Sequence, residues 1–181
     1  LLFSAPWEPG EQGSSAYQVA IDDMKASGLD VNGTTQPRAA AFLSGLQSNV
    51  LFSFRSKGSA WRELRSKEFE ERLAAIRDPI FRSSLIEEAK NMEPGASIGH
   101  SMASSRYFIP PKASFWMGSE DRPNYTGGAE VSLARLAEDA GEHPVETWLR
   151  LMDETEGRSL FMLRFVNQDL SVLPDFMRSD W

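Results

Sequence analysis

Residues 14–37 read SSAYQVAIDDMKASGLDVNGTTQP and predict a helix followed by a strand. The helix carries one apolar stripe at the i, i+3, i+4, i+7 spacing of a buried face, formed by Tyr17, Ala20, Ile21 and Met24. Gly28 is the residue type that ends helices. From Leu29 to Thr35 the sequence favours a strand, which stops before Pro37 because proline cannot donate to a β-ladder.

A second strand-like run, LLFSA at residues 1–5, precedes this helix and gives a strand-helix-strand order. This order predicts two parallel strands joined by a right-handed crossover. The chain begins on the apolar run without an initiator Met and stops as abruptly at Trp181. We therefore expect flanking residues of a longer protein on both sides.

The middle of the chain predicts helices. Phe69, Leu73 and Ile76 share one helical face, and Phe81, Leu85 and Ala89 continue the pattern. Between them, Asp78-Pro79 combines an N-cap carboxylate with a proline at the first helical position. A loop rich in Gly and Ser follows these helices. Because helical signals dominate this part of the chain, it is interpreted as a helical insertion.

The last third of the chain returns to mixed signals. It predicts a strand at residues 113–117, one helix ending at Gly141, another starting at Pro144, a strand at 160–166 and a short helix at 170–177 that Pro174 interrupts. The predicted fold class is α/β. Its predicted segments are a βαβ unit at 1–45, a helical insertion at 46–105, and strand and helix units at 106–181.

Composition excludes several classes of protein. The chain has 181 residues, of which 41% are hydrophobic, so it is long enough to bury a core. A net charge of -7 with scattered Lys and Arg argues against nonspecific nucleic-acid binding. No apolar run approaches the length of a membrane span, and cysteine is absent. We expect a soluble, cytoplasmic protein.

Three stretches together resemble the metal-dependent amidohydrolases of the N-acyl-D-amino-acid deacylase (D-aminoacylase) type. They are ASGLDVNGTTQPR at 26–38, EERLAAIRDPIFR at 70–82, and PNY at 123–125 followed by SLARLA at 132–137 and PVE at 144–146. Their order and spacing match over about 130 residues, from Ala20 to Met152.

The resemblance implies a distorted TIM barrel with a metal centre and an inserted segment over the active-site mouth. Residues 1–45 and 106–181 would belong to the barrel, and residues 46–105 would be a lid-like insertion. It also implies that a metal-activated hydroxide attacks the amide carbonyl of an N-acylated amino acid while a carboxylate transfers protons. Zinc or another divalent metal would be the cofactor of the intact protein.

The sequence does not predict a set of metal-ligating residues in this chain. Only His100 and His143 are present as imidazoles, and they form no HxH or HExxH pattern. Where the family often has Ser-His at a strand end, this chain has Ser4 followed by Ala5. We therefore expect the metal centre to depend on other parts of the protein, and the isolated chain to be inactive.

Three residues are predicted to contact the substrate. Arg38 follows a strand end, where barrel enzymes place binding side chains, and its guanidinium suits the carboxylate of an N-acyl amino acid. The resemblance puts Arg38 at the turn where related enzymes offer a substrate-binding tyrosine, and Ser44 near a second contact. His100 would face the substrate if its loop is a mobile lid. The alternatives are a surface ion pair, a locally bonded serine and a solvated histidine.

Other polar and aromatic residues are interpreted structurally. His143 precedes Pro144 and is predicted to lie at a helix N-terminus rather than in a catalytic site. The acidic run at residues 153–156 is predicted to be a solvated helix end. The aromatic residues are assigned to packing rather than to a ligand cage, namely Trp7, Trp61, Phe115, Trp116 and Tyr125.

Two other functions stay open. The chain would be a non-catalytic α/β interaction module if its apolar strand edges pair with another subunit or with a second copy. A free-standing α/β enzyme of another class ranks last, because the sequence has no nucleophile elbow, phosphate loop or metal set. The expected partners are therefore a small-molecule substrate and the remainder of the barrel, with a homo-oligomer as an option.

Overall fold

A computed structural model describes most of the chain: residues 2–4, 14–36, 38, 40–48, 50, 59–91, 111–166, 171 and 173–178. Its helices are α1 Ser14–Ala26, α2 Ala60–Ser66, α3 Phe69–Arg77, α4 Pro79–Lys90, α5 Leu133–Ala140, α6 Pro144–Glu154 and α7 Leu173–Arg178. Its strands are β1 Leu2–Ser4, β2 Asn32–Thr34, β3 Ala40–Ser44, β4 Ser114–Trp116 and β5 Phe161–Val166. Two compact units divide it: Leu1–Ala41 with Arg164–Trp181 is the first unit, and Phe42–Leu163 is the second unit.

The first unit contains the predicted strand-helix-strand order. β1 and β2 pair in parallel, with Leu2 opposite Asn32 and Ser4 opposite Thr34, and α1 connects them. This confirms the parallel pairing predicted from residues 1–37. Strand β2 is shorter than the predicted run of residues 29–35, since it spans three residues.

Helix α1 ends as its sequence predicts. Gly28 has a φ of 82°, its N–H donates to Lys25 O at 2.9 Å, and Leu29 N–H donates to Met24 O at 3.1 Å. This pair of bonds is the Schellman motif, which needs a left-handed residue that glycine adopts at low cost. Of the predicted stripe, Ile21 is fully buried, whereas Ala20 is exposed.

In the second unit, α3 and α4 form the predicted helical restart. Asp78 follows α3 and is the N-cap of α4, where its Oδ1 accepts from Phe81 N–H at 2.7 Å. Pro79 occupies the first position of α4, where no backbone donor is required. The break between α3 and α4 is therefore encoded in two adjacent residues.

Helix α5 ends and helix α6 begins at the predicted residues. Ser132 caps α5 by accepting from Arg135 N–H at 3.2 Å, and Gly141 ends it with a φ of 64°. Pro144 starts α6, and His143 is its N-cap, as the sequence predicted.

One hydrophobic core unites the helices of the second unit. The Trp61 and Trp148 rings meet edge to face with centroids 5.8 Å apart, and both side chains are fully buried. Trp61 Nε1 donates to Leu85 O at 2.9 Å, so the indole is buried with its polar atom satisfied. The core joins residues of the predicted insertion to later residues, among them Leu64, Ile76, Leu85, Leu133, Val145, Leu149, Met152 and Phe161.

The strands β3, β5 and β4 form a three-stranded sheet in that order. β4 and β5 run antiparallel, with Ser114 opposite Leu163 and Trp116 opposite Phe161. The chain is thus of mixed α/β class, as predicted. The strands of a TIM barrel are parallel, so the antiparallel β4–β5 pair does not have barrel pairing.

Three details differ from the sequence predictions. Strand β3 was not predicted, because AAFLS is rich in alanine, which is uncommon in strands. Pro174 lies in the first turn of α7, where it is tolerated, and does not interrupt the helix. Assigning Tyr125 to packing was wrong, since its side chain is 64% exposed.

No helix in the described part of the chain is long and apolar enough to cross a membrane.

Candidate functional site

The carboxyl ends of β1 and β2 define the edge where ligands bind in parallel α/β sheets. Ser4 lies opposite Thr34, so the two strands end level with each other. Arg38 comes shortly after β2 and is exposed. An exposed guanidinium is compatible with the predicted carboxylate contact and equally with the alternative of a surface ion pair.

The other two predicted substrate contacts are Ser44 and His100. Ser44 ends β3 in the second unit, whereas Arg38 belongs to the first, and the Ser44 side chain is only 2% exposed. His100 and Trp7 lie outside the described residues. The roles of Arg38, Ser44 and His100 as substrate contacts stay predictions.

A charged cluster lies where the end of α4 meets the start of α6. Lys90 Nζ is 3.0 Å from Glu146 Oε1, and Glu146 Oε2 accepts from His143 N–H at 2.9 Å. The hydrogen bond from Lys90, followed by that from the His143 backbone, lowers the pKa of Glu146. Glu146 is therefore a firmly ionised carboxylate at the N-terminus of α6, where negative charge is favourable.

His143 is the imidazole of this cluster. Its Nδ1 accepts from Val145 N–H at 3.3 Å. Burial, followed by the charge of Lys90, lowers the pKa of His143, and Glu146 opposes this effect. The imidazole thus functions as a neutral hydrogen-bond acceptor, which is a capping role and not that of a metal ligand in a histidine cluster.

Glu142 forms a second charged group beside it. Arg150 Nε donates to the two Glu142 oxygens at 3.0 and 3.2 Å, and the buried Thr147 hydroxyl donates to Oε2 at 2.8 Å. The Arg150 hydrogen bond is the main cause of a lowered pKa for Glu142. These bonds fix the turn between α5 and α6 and leave Glu142 ionised, so it is not poised as a general acid near neutral pH.

Arg77 links α3 to the end of α6. Its Nε is 2.7 Å from Asp153 Oδ1, and its Nη2 is 2.8 Å from Glu156 Oε1. The hydrogen bonds to Glu156 and then Asp153 raise the pKa of Arg77. The acidic run at 153–156 is thus an exposed helix end, as predicted, with a cationic partner that the sequence did not identify.

Arg72 binds backbone rather than carboxylate oxygens. Its guanidinium donates to Leu46 O at 2.9 Å, Arg65 O at 2.8 Å and Lys67 O at 2.7 Å. It therefore satisfies carbonyls at the C-terminal end of α2 and in the turn that follows β3. Such contacts position chain segments and are typical of a structural arginine.

An open groove of about 510 Å³ lies between α2 and α4. It is lined by three serine hydroxyls, the Phe81 ring and the side chains of Arg62 and Glu63. Ser66 Oγ donates to Glu63 O and Ser84 Oγ donates to Ile80 O, so these hydroxyl protons are used within their own helices. The groove offers no activated nucleophile among its described residues.

Within the described ranges, no three His, Asp or Glu side chains come together in a group that could hold a metal ion. The described His, Asp and Glu residues therefore do not form a site that fits a divalent metal ion.

No family model matches the chain, and neither do the curated proteins or the solved structures with which it was compared.

Sequence reasoning missed the long-range ion pairs. Arg77 and Asp153, or Lys90 and Glu146, are far apart in the chain, and no local spacing pairs them. Only the i, i+4 pairs, such as Arg135 with Asp139, carry a signal that the sequence alone displays.

Proposed function

We propose that this chain is part of a cytoplasmic, metal-dependent amidohydrolase that cleaves the amide bond of N-acyl amino acids or related compounds. The observation that carries the proposal is the parallel β1-α1-β2 unit with the exposed Arg38 beyond its carboxyl edge. Together with the resemblance of residues 20–152 to the D-aminoacylase type, this favours β1 and β2 as strands of a TIM-type barrel.

In this proposal Arg38 binds the substrate carboxylate. A guanidinium donates two parallel hydrogen bonds to a carboxylate, which fixes the orientation as well as the charge of the ligand. A lysine supplies the charge without the planar fork. Arg38 is therefore a binding residue that orients the amide, while the reactive groups come from other parts of the protein.

In this proposal residues 46–105 form the lid-like insertion. Residues of the predicted insertion, such as Trp61, and later residues, such as Trp148, share one core. Separating them would expose both indoles to water, at a cost of several kcal/mol. The helices of the proposed insertion would therefore move only together with α5 and α6, and the contact of His100 with the substrate stays a proposal.

Ligand binding tests the role of Arg38. Titration of the chain with N-acetyl amino acids, followed by NMR, is expected to show weak binding that Arg38→Ala abolishes and Arg38→Lys weakens about tenfold, the loss of one charge-assisted hydrogen bond. Arg122→Ala removes another exposed arginine and is the matched control. Unchanged binding by Arg38→Ala would contradict this assignment.

Activity tests the reaction class. The intact protein is expected to hydrolyse N-acyl amino acids, to lose this activity with a chelator and to regain it with zinc or another divalent metal. Hydrolysis that persists in the metal-stripped protein would rule out the metal-dependent class.

A second candidate function is an interaction module. It is favoured by exposed apolar side chains in the first unit: Leu2 is 79% exposed, Val19 59% and Leu29 47%. An exposed apolar strand edge favours pairing with another chain. Sedimentation velocity distinguishes the two functions, because this module is expected to self-associate and to become monomeric with Leu2→Lys. A monomer at high concentration would argue against pairing with a second copy.

A further inference from the structure

The N-terminus of α6 is capped by a titratable side chain. His143 Nδ1 accepts from Val145 N–H at 3.3 Å, and the Glu146 carboxylate accepts from His143 N–H at 2.9 Å. The usual N-cap residues, Ser, Thr, Asp and Asn, keep an acceptor oxygen at every pH near neutrality. An imidazole keeps its acceptor lone pair only while it is neutral.

We propose that His143 is a pH-sensitive cap, which holds the N-terminus of α6 when neutral and releases it when protonated. Protonated Nδ1 becomes a donor and faces the Val145 N–H, so the capping bond is lost. The added positive charge also lies at the positive end of the α6 dipole, which is unfavourable. This inference is independent of the proposed amidohydrolase function.

The surrounding charges favour the neutral imidazole. The positive charge of Lys90 on α4 disfavours protonation of His143. The negative charge of Glu146 on α6 favours it, but Glu146 is paired with Lys90 and offsets the effect of Lys90 only in part. The Glu142 carboxylate is bound to Arg150, and the positive charge of Arg82 on α4 also lowers the pKa of Glu142. On α5, Glu138 and Asp139 bind Arg135 of the same helix.

The consequence for stability follows from the direction of the shift. Burial lowers the pKa of His143 in the folded chain below its ordinary value of 6.5, so folding favours the neutral form. Its full contribution to stability is present above pH 6.5 and is lost as the pH falls below that value through the lowered pKa. Glu142 and Glu146 stay ionised in this window because their pKa values are also lowered.

The release reaches the core because α6 supplies much of it. Val145, Trp148, Leu149 and Met152 of α6 are fully buried. Val145 is both the donor to the cap and a core residue, so loosening its amide also loosens its packing. The switch therefore couples an imidazole near the surface to the centre of the second unit.

Amide hydrogen exchange tests the switch in the whole chain. With His100→Gln, His143 is the only remaining histidine, so its titration is followed by NMR without overlap. Between about pH 7.5 and about pH 5, the protection factor of Val145 is expected to fall about fivefold, the size of a lost cap, and to follow the titration of His143. The Arg135 amide is the internal control, because its acceptor is the Ser132 hydroxyl, which does not titrate.

Two substitutions complete the test. His143→Asn keeps a neutral acceptor, so the protection of Val145 is expected to change less than about twofold over the same range, whereas His143→Ala lowers protection at both pH values. The proposal is overturned if His143 titrates without a change at Val145. It is also overturned if the asparagine variant loses protection as steeply as the histidine chain.

Discussion

The two units differ in how their described residues are buried. In the second unit, sixteen buried residues, including Trp61 and Trp148, form one cluster. In the first unit, the fully or nearly buried apolar residues among those described are Ile21 and Val31, while Leu2, Val19 and Met177 are more than half exposed. Both the helical core and the parallel strand pair join segments that are far apart in the sequence, but the helical core buries more of the described apolar residues.

Among the described residues, most of the burial that stabilises the chain therefore lies in the second unit. Burial of large side chains dominates the free energy of folding, and truncation of a buried indole removes more contacts than truncation of an aliphatic chain. The two units therefore predict different responses to matched substitutions.

The largest effect is expected in the core of the second unit. Trp148→Ala is predicted to lower the free energy of unfolding by about 3–5 kcal/mol, because the side chain is fully buried and packs edge to face on Trp61. Urea unfolding followed by circular dichroism measures it. Tyr125→Ala, at an exposed aromatic, is the control and is expected to stay within about 0.5 kcal/mol of the parent.

Two substitutions on opposite faces of α1 test the burial assigned to the first unit. Ile21→Ala is predicted to cost about 2–4 kcal/mol, because Ile21 is fully buried, whereas Val19→Ala on the exposed face costs less than about 0.5 kcal/mol. Equal losses for the two variants would mean that the face of α1 has been assigned wrongly. The same urea titration decides it.

Gly157, which follows α6, is closely packed against the Phe69 ring. It has a φ of 73°, and a Cβ there would lie 2.7 Å from Phe69 Cε2. Gly157→Ala is predicted to cost about 2–3 kcal/mol from backbone strain and overpacking.

Gly141 separates these two contributions. Its φ is 64°, but a Cβ there would meet nothing within 4 Å, so Gly141→Ala carries backbone strain alone and is predicted to cost about 1 kcal/mol. Thermal unfolding of the two variants gives the difference. Equal costs would mean that the Phe69 ring yields without penalty.

The shared residue of the α3–α4 turn is expected to have a moderate effect. Asp78→Ala removes the acceptor for Phe81 N–H and is predicted to cost about 1 kcal/mol. Asp78→Asn keeps an acceptor oxygen and is the matched control, with most of the stability retained. If both variants lose the same amount, the charge of Asp78 rather than its hydrogen bond holds the turn.

The smallest effect is expected from Glu142. Arg150 lowers the pKa of this carboxyl below its ordinary value of 4.5, so its contribution to stability is present above pH 4.5 and is lost as the pH falls through the lowered pKa. Glu142→Gln is therefore expected to give a shallower fall of Tm at acidic pH. Glu87→Gln, at an exposed carboxylate, is the control. If the dependence of Tm on acidic pH is unchanged in Glu142→Gln, Glu142 does not contribute to the acid sensitivity of the fold.

Much of the local structure was predictable from particular residues. Gly28 and Gly141 end their helices, Asp78-Pro79 starts α4, and His143-Pro144 starts α6, each because a local backbone requirement selects that residue type. The parallel β1–β2 pair also followed from the order of elements.

The candidate site was less predictable. The exposure of Arg38 fits a binding residue and a surface ion pair equally, and nothing local indicates that Ser44 is buried. The β3 strand and the antiparallel β4–β5 pair had no clear signal, because strand pairing depends on partners elsewhere in the chain.

The sequence by itself determined where helices begin and end and which of their faces are apolar, since capping and periodicity act over a few residues. Only the tertiary structure decided that Trp61 meets Trp148, that Arg77 binds the end of α6, and that Lys90 lies beside the His143 cap. The physical reason is that such contacts join residues far apart in sequence, and their energy exists only once the helices have packed.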